Sequence, residues 1–253
     1  MSKTVTLRIR RQDSPSQASR WEEFKIPHQP GLNIIAALME IQRNPVNSKG
    51  EKVSPVVWEA SCLEKVCGAC SMVINGQAMQ ACATLVDKIA PNGETITLEP
   101  MSKAFPMVRD LVVDRQRHFE QLKEIRGWID IDGSHDLGPG PRMSPRDAEV
   151  MYELSKCMSC GVCYEACPNV NEKSPFMGPA IMSWVRRFNM HPSGKHFSQE
   201  RLEALMGTGG VYDCGNSQNC VKACPKGIPL TTSIAAMKRD TTIHGLIGFL
   251  QNP

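Results

Sequence analysis

The alternation of apolar and polar side chains is clearest at the start of the chain. TVTLRIR alternates at every residue, the mark of a strand with one buried face. WEEFKIP follows a Ser/Pro-rich turn and is expected to pair with it as a hairpin. NIIAALMEIQR has apolar residues at helical spacing, and Asn33 is placed to cap its start. SMVING, QAMQACATLV and TITLEPM read as short strands separated by NG and PNG turn signals. From Pro106 the period changes. PMVRDLVVDRQRHFEQLKEI sets Val108, Leu111, Val112, Phe119, Leu122 and Ile125 at roughly helical spacing, with Pro106 suited to a first turn. DIDGSHDLGPGPRMSP, with three Gly and three Pro in sixteen residues, predicts an irregular crossing loop. PRDAEVMYELSKC, GPAIMSWVRRFNM, QERLEALMG and TTSIAAMKRD then read as short helices. The expectation is α+β: a small mixed domain over 1–105, then a mainly α-helical domain over 106–253.

Composition narrows the function classes. The 253 residues are 41% hydrophobic and 22% charged, so the chain can bury a core and is no disordered tail. Net charge is +3, and it is evenly spread. Residues 1–110 hold 13 basic and 11 acidic groups, residues 111–253 hold 16 and 15, which leaves no basic face for nucleic acid. The first residues lack the apolar core of a signal peptide, and no apolar run reaches membrane-span length. A reducing, cytoplasmic setting is expected. The sequence carries no nucleotide-binding glycine fingerprint, nucleophile elbow or zinc-protease helix, and its six histidines share no ligand spacing.

Eleven cysteines are the unusual feature. An odd number in a reducing compartment points to metal ligation rather than disulfides. Cys62-LEKV-Cys67-GA-Cys70 has the C-x4-C-x2-C spacing of plant-type [2Fe–2S] ferredoxins, and Cys82 is the candidate fourth ligand. A short loop lets the backbone curl around the cluster and aim amides at its sulfurs, which raises the reduction potential. A structural zinc site is the competing reading. After 74 cysteine-free residues, Cys157-MS-Cys160-GV-Cys163-YEA-Cys167-Pro168 matches the bacterial ferredoxin run in full.

In two-cluster ferredoxins the fourth cysteine of each run ligates the other cluster. A partner run exists: Cys214-GN-Ser217-QN-Cys220-VKA-Cys224-Pro225, with serine in the second cysteine slot. The crossover rule gives Cys157, Cys160, Cys163 and Cys224 to a [4Fe–4S] cluster, and leaves Cys167, Cys214 and Cys220 for a three-thiolate site. A [3Fe–4S] cluster is the simplest occupant. The alternative keeps a fourth iron on water or the serine oxygen. Fewer thiolates mean less negative charge, so the potential there is expected to be higher. Three clusters without a substrate signature describe an electron conduit.

With these motifs in hand, RNPVN, CLEKVCGACSMVING, DLGPGPR, CPNVN, FMGPA and CPKGIPL together resemble the iron–sulfur subunit of the succinate dehydrogenase/fumarate reductase family. The resemblance implies a plant-type ferredoxin (β-grasp) domain followed by a bacterial-ferredoxin-like domain, with ligands matching these cysteines one for one. It also implies a flavoprotein partner with FAD, a membrane-anchor cytochrome b with haem b, and a place on the cytoplasmic face of the membrane. Electrons would run from FAD through [2Fe–2S], [4Fe–4S] and [3Fe–4S] to quinone, or in reverse in a fumarate reductase. Ubiquinone-linked members carry a tryptophan soon after the Pro168 position and a histidine after the Cys214 position. Here NVNEK and Gly215 stand there, which resembles the menaquinone-linked branch. Pro168 is the candidate for quinone proximity.

Overall fold

The structure is a computed structural model, and it describes residues 4–129 and 141–251. Within them the chain divides into two compact units, 4–115 with 158–166, and 116–129, 141–157 and 167–251. The Gly/Pro-rich loop expected around DIDGSHDLGPGPRMSP falls largely at 130–140, outside the described residues.

In the first unit, β1 (Thr4–Arg11) and β2 (Arg20–Pro27) pair antiparallel over eight residues, from Thr4 opposite Pro27 to Arg11 opposite Arg20. The alternation of β1 places Val5, Leu7 and Ile9 in the core. Its last inward position is Arg11, fully buried, with Nε 2.9 Å from Asp110 Oδ1 and an η-nitrogen 3.0 Å from the Ser54 carbonyl. The sheet is completed by β3 (Ser71–Ile74), β4 (Gln77–Gln80) and β5 (Ile96–Glu99) in the order β2-β1-β5-β3-β4. The strand β5 runs parallel to β1 and antiparallel to β3. Helix α1 (Ile34–Arg43) buries Ile34, Ile35, Ala37, Leu38 and Ile41 in the same core. Asn33 caps it as expected, its Oδ1 accepting the Ala36 N–H at 2.8 Å.

Two sequence expectations are corrected here. QAMQACATLV is a strand only to Gln80. A single 3-10 turn (Ala81–Ala83) follows, closed by the Thr84 hydroxyl on the Gln80 carbonyl at 2.8 Å, and then the short α2 (Val86–Ile89). The helix read from Pro106 does not begin there. The segment forms a two-stranded ribbon, β6 (Met107–Arg109) and β7 (Val112–Val113), and α3 begins only at Gln116 and runs to Glu124. Asp110 is the cause: it sits at φ 46°, and its carboxylate accepts from Arg11 and from the backbone N–H groups of Gln12 and Val57 at 2.9–3.0 Å. Those distant partners outweigh a local apolar period.

The second unit is helical. Besides α3 it contains α4 (Pro145–Ser155), capped by the Ser144 hydroxyl accepting the Asp147 N–H at 3.1 Å and carrying proline in its first turn. The short α5 (Val162–Glu165), in the first of the two later cysteine runs, belongs to the first unit. In the second unit α6 (Pro179–Met190), α7 (Ser198–Met206), α8 (Asn219–Ala223) and α9 (Leu230–Gln251) follow. Phe176, Ile181, Met182, Val185, Leu205, Ile234 and Met237 make the core. Arg201 of α7 lies fully buried among them and donates to the carbonyls of Arg126, Trp128 and Gly194 and to Asn189 Oδ1, at 2.6–3.1 Å. No helix among the described residues is long and apolar enough to cross a membrane.

Candidate metal centres

The loop 62–70 leaves β-structure and winds on itself because Leu63, Lys65 and Gly68 take left-handed backbone, at φ 59°, 58° and 78°. That winding turns amides toward sulfur. Cys62 Sγ accepts the N–H groups of Glu64, Val66 and Cys67 at 3.3–3.4 Å, and Cys67 Sγ accepts that of Ala69 at 3.4 Å. Amide donors stabilise the thiolate, and the Glu64 N–H foremost draws the Cys62 thiol down to about 7. Burial instead pushes Cys70 up to about 11, with negative charge on Cys82 and Cys67 acting in the same direction.

Cys82 and the Gly68–Cys70 end of the loop are held by residues outside it. Cys82 rides the 3-10 turn after β4, and Asn33, the cap of α1, donates to its carbonyl at 3.2 Å. The Ala81 N–H bonds the Cys70 carbonyl at 3.1 Å. Gln80 donates to the Ser71 hydroxyl at 2.7 Å, and that hydroxyl donates to the Gly68 carbonyl at 2.7 Å. Arg115 completes the hold: its η-nitrogens donate to the Gly68 and Ala69 carbonyls at 3.2 and 3.0 Å, and one is 3.1 Å from Glu59. The sequence offered no signal for Arg115 or Gln80, because neither lies in the cysteine spacing. Only the fold brings them to it.

The second run opens after α4 with Cys157. Ser159 and Gly161, at φ 51° and 81°, turn the backbone into α5, where Cys163 sits. Cys160 and Cys163 are buried in the first unit. A side chain at Gly68 would place its Cβ 2.7 Å from Cys160 Cβ, so the two loops touch through the hydrogen of a glycine. Tyr164 lies 5.6 Å from Phe105, and Glu165 accepts the Ala104 N–H at 2.9 Å. Cys157 and Cys224 are described with the second unit, so grouping them with Cys160 and Cys163 rests on the sequence run alone.

Cys167, Cys214 and Cys220 all lie in the second unit. Burial raises the Cys220 thiol to about 11, and negative charge on Cys167 and Cys214 pushes it the same way. Ser217 is exposed between two left-handed residues, Asn216 and Gln218, and Pro168 is exposed as well. Lys238 of α9 donates to the Cys214 carbonyl at 3.3 Å. Among the described residues no three His, Cys, Asp or Glu side chains close around a single ion. Soft sulfur donors on amide-lined loops suit the larger iron–sulfur clusters.

Known proteins resemble this chain in sequence and fold. A family described as "2Fe-2S iron-sulfur cluster binding domain" matches residues 6–120, and one described as "4Fe-4S dicluster domain" matches residues 153–228. The succinate dehydrogenase iron-sulfur subunit of Bacillus subtilis is 61% identical over 98% of this chain and 96% of its own length. The fumarate reductase iron-sulfur subunit of Wolinella succinogenes is 30% identical over 94% of this chain and 98% of its own. A chain of the Mycobacterium smegmatis Sdh1 complex in the apo form has the same fold, with a TM-score of 0.80 at 24% identity, covering 95% of this chain and 96% of that one. With two cluster-binding domains in sequence, and near-complete overlap with both relatives, the chain belongs to the family of iron–sulfur subunits of succinate dehydrogenases and fumarate reductases.

Proposed function

We propose that the chain is the electron-transfer subunit of a succinate:quinone oxidoreductase. The observation that carries this reading is the 61% identity to a succinate dehydrogenase subunit along nearly the whole chain, against 30% to a fumarate reductase subunit. Cys62, Cys67, Cys70 and Cys82 would hold [2Fe–2S]. Cys157, Cys160, Cys163 and Cys224 would hold [4Fe–4S], and Cys167, Cys214 and Cys220 would hold [3Fe–4S]. Bound there, the clusters accept and release electrons one at a time with little rearrangement, because the charge spreads over several metals and sulfurs.

This chain's own residues supply the rest. The amides of Glu64, Val66 and Cys67 hold a thiolate at Cys62, and Arg115 fixes the loop that presents Cys67 and Cys70. Ser217, exposed where a cysteine would complete the last set, leaves that site one thiolate short. On a partner flavoprotein with FAD, oxidation of succinate to fumarate releases two electrons and two protons. At the other end two electrons and two protons reduce a quinone to its quinol. The partner there would be a membrane-anchor cytochrome b with haem b, holding this chain at the cytoplasmic face. Gly215 and the NVNEK stretch, in place of the histidine and tryptophan of ubiquinone-linked members, favour menaquinone. Pro168, exposed beside Cys167, is the residue proposed near it.

The test is a low-temperature EPR redox titration of the purified complex, with iron and sulfide analysis and rates of succinate oxidation and fumarate reduction on menaquinone and ubiquinone analogues. Three cluster signals are expected, one of them from an oxidised three-iron centre. Stoichiometric zinc without sulfide would overturn the conduit reading. Faster fumarate reduction than succinate oxidation with menaquinol would favour the reverse direction. Ser217→Cys is expected to shift the three-iron signal toward a four-iron one of lower potential.

A further inference from the structure

In the second unit α4, α6 and α9 enclose an open cleft of about 800 Å³, lined by Arg146, Arg186, Arg239, Asp147 and Asp240 among others. Its charges are unequally satisfied. Arg239 is matched by Asp240 at 2.7 Å, and Asp147 is occupied by the Ser144 hydroxyl at 2.8 Å. Arg186 is half-buried, and its nearest polar side-chain partner is the Ser233 hydroxyl at 3.4 Å. No carboxylate among the described residues forms an ion pair with it. Burial first, and then the Arg239 guanidinium, work against its charge, while the Asp240 carboxylate, already paired with Arg239, favours it. A half-buried cation that has no carboxylate of its own within ion-pair distance is costly, and an anion in the cleft would repair it.

The α9 wall of this cleft is made by Thr232, Ala235, Ala236 and Arg239. Continued at helical spacing, the same stripe becomes Ile243, Leu246, Ile247 and Leu250, which are 49, 59, 48 and 75% exposed. The other side of the helix is engaged with α7: His244 reaches Glu203 at 3.7 Å, and Gly245 lies against the Met206 methyl. Phe249, 72% exposed, widens the apolar sector beyond a single groove-facing stripe. From Thr241 to Gln251 the helix carries no Asp, Glu, Lys or Arg. Uncompensated arginine charge at the foot of an uncharged apolar helix end is the charge and polarity profile of a lipid–water interface.

We infer that this cleft takes the phosphate of an anionic phospholipid, with the outer turns of α9 lying among the acyl chains beside it. Arg186 and Arg146 face the headgroup. Ile243, Leu246, Ile247, Phe249 and Leu250 enter the apolar layer. The inference goes beyond the electron-transfer reading and stands without it, because it uses none of the cysteines.

The test is flotation of the full, cluster-loaded chain with vesicles of phosphatidylglycerol or of phosphatidylcholine, at two salt concentrations. Binding is expected to the anionic vesicles and to weaken with salt. Arg186→Gln and Arg146→Gln are each expected to lower vesicle affinity about fivefold. Leu246→Asn combined with Leu250→Asn is expected to lower it about tenfold or more, with the cluster absorbance unchanged as the control for folding. Equal binding to both vesicle types, or indifference to both kinds of substitution, would overturn the inference. So would a shift in thermal stability by inorganic phosphate that Arg186→Gln abolishes while vesicles are ignored, since the cleft would then serve free phosphate. Binding only when a membrane cytochrome is present would assign the apolar helix end to a protein partner and equally refute the lipid.

Discussion

A guanidinium with two backbone carbonyls in its grip is a strong constraint on a short loop. Arg115 holds the Gly68 and Ala69 carbonyls, so it fixes the peptide planes between Cys67 and Cys70 without touching either sulfur. Hydrogen bonds from a charged donor contribute about 1.5–3 kcal/mol each. Arg115→Met is therefore expected to loosen the first site selectively. Fewer [2Fe–2S] spins per chain and faster iron release to a chelator are the readouts, with the signal of the cluster proposed at Cys167, Cys214 and Cys220 retained. Arg115→Lys, one point donor in place of a planar fork, is expected to restore only part of the occupancy. Cys62 shows the same logic through the backbone. Three amides converge on its sulfur because two non-glycine residues, Leu63 and Lys65, accept left-handed backbone.

At the level of elements, helix ends do the positioning. Asn33 caps α1 with one end of its amide and donates to the Cys82 carbonyl with the other. Asn33→Ala is expected to cost about 1 kcal/mol in the thermal unfolding of the first unit, and to slow rebuilding of the [2Fe–2S] site in a reconstitution assay. Arg201 plays the corresponding part for the helices of the second unit. Arg201→Met would strip donors from four oxygen acceptors, at a cost of at least about 3 kcal/mol. A large fall in unfolding temperature, with loss of the signal of the proposed three-iron cluster, is the expected result. The elements legible in the sequence were those with a local cause. The Asn33 cap and apolar spacing of α1 and the alternation of β1 each act within a few residues. The stretch after Pro106 was misread because its conformation is decided by Asp110, whose partners Arg11, Gln12 and Val57 are some 50 to 100 residues away in sequence. Arg115 escaped notice for the same reason.

For the whole molecule, the cysteine spacings carried the functional reading, since ligand geometry restricts sequence far more tightly than packing does. What spacing could not tell is where each segment lodges. Residues 158–166 belong with the first unit through Phe105–Tyr164 contact and the Ala104 bond to Glu165, features with no mark in the cysteine run. Each unit has its own core, so Cys70→Ala is expected to remove the signal of the cluster proposed in the first unit and spare that of the proposed three-iron one, measured by EPR in one sample. The contact at Gly68 has a further consequence, this time for speed. Electron tunnelling decays exponentially with the gap to be crossed, and at this point two cysteine-bearing loops approach with no side chain between them. A methyl group there would have to wedge the loops apart, and alanine would also strain a backbone at φ 78° by about 1–2 kcal/mol. In the proposed conduit the hydrogen atom at this one position works as a spacer of minimum thickness, and Gly68→Ala is expected to register in freeze-quench kinetics as a slower hop.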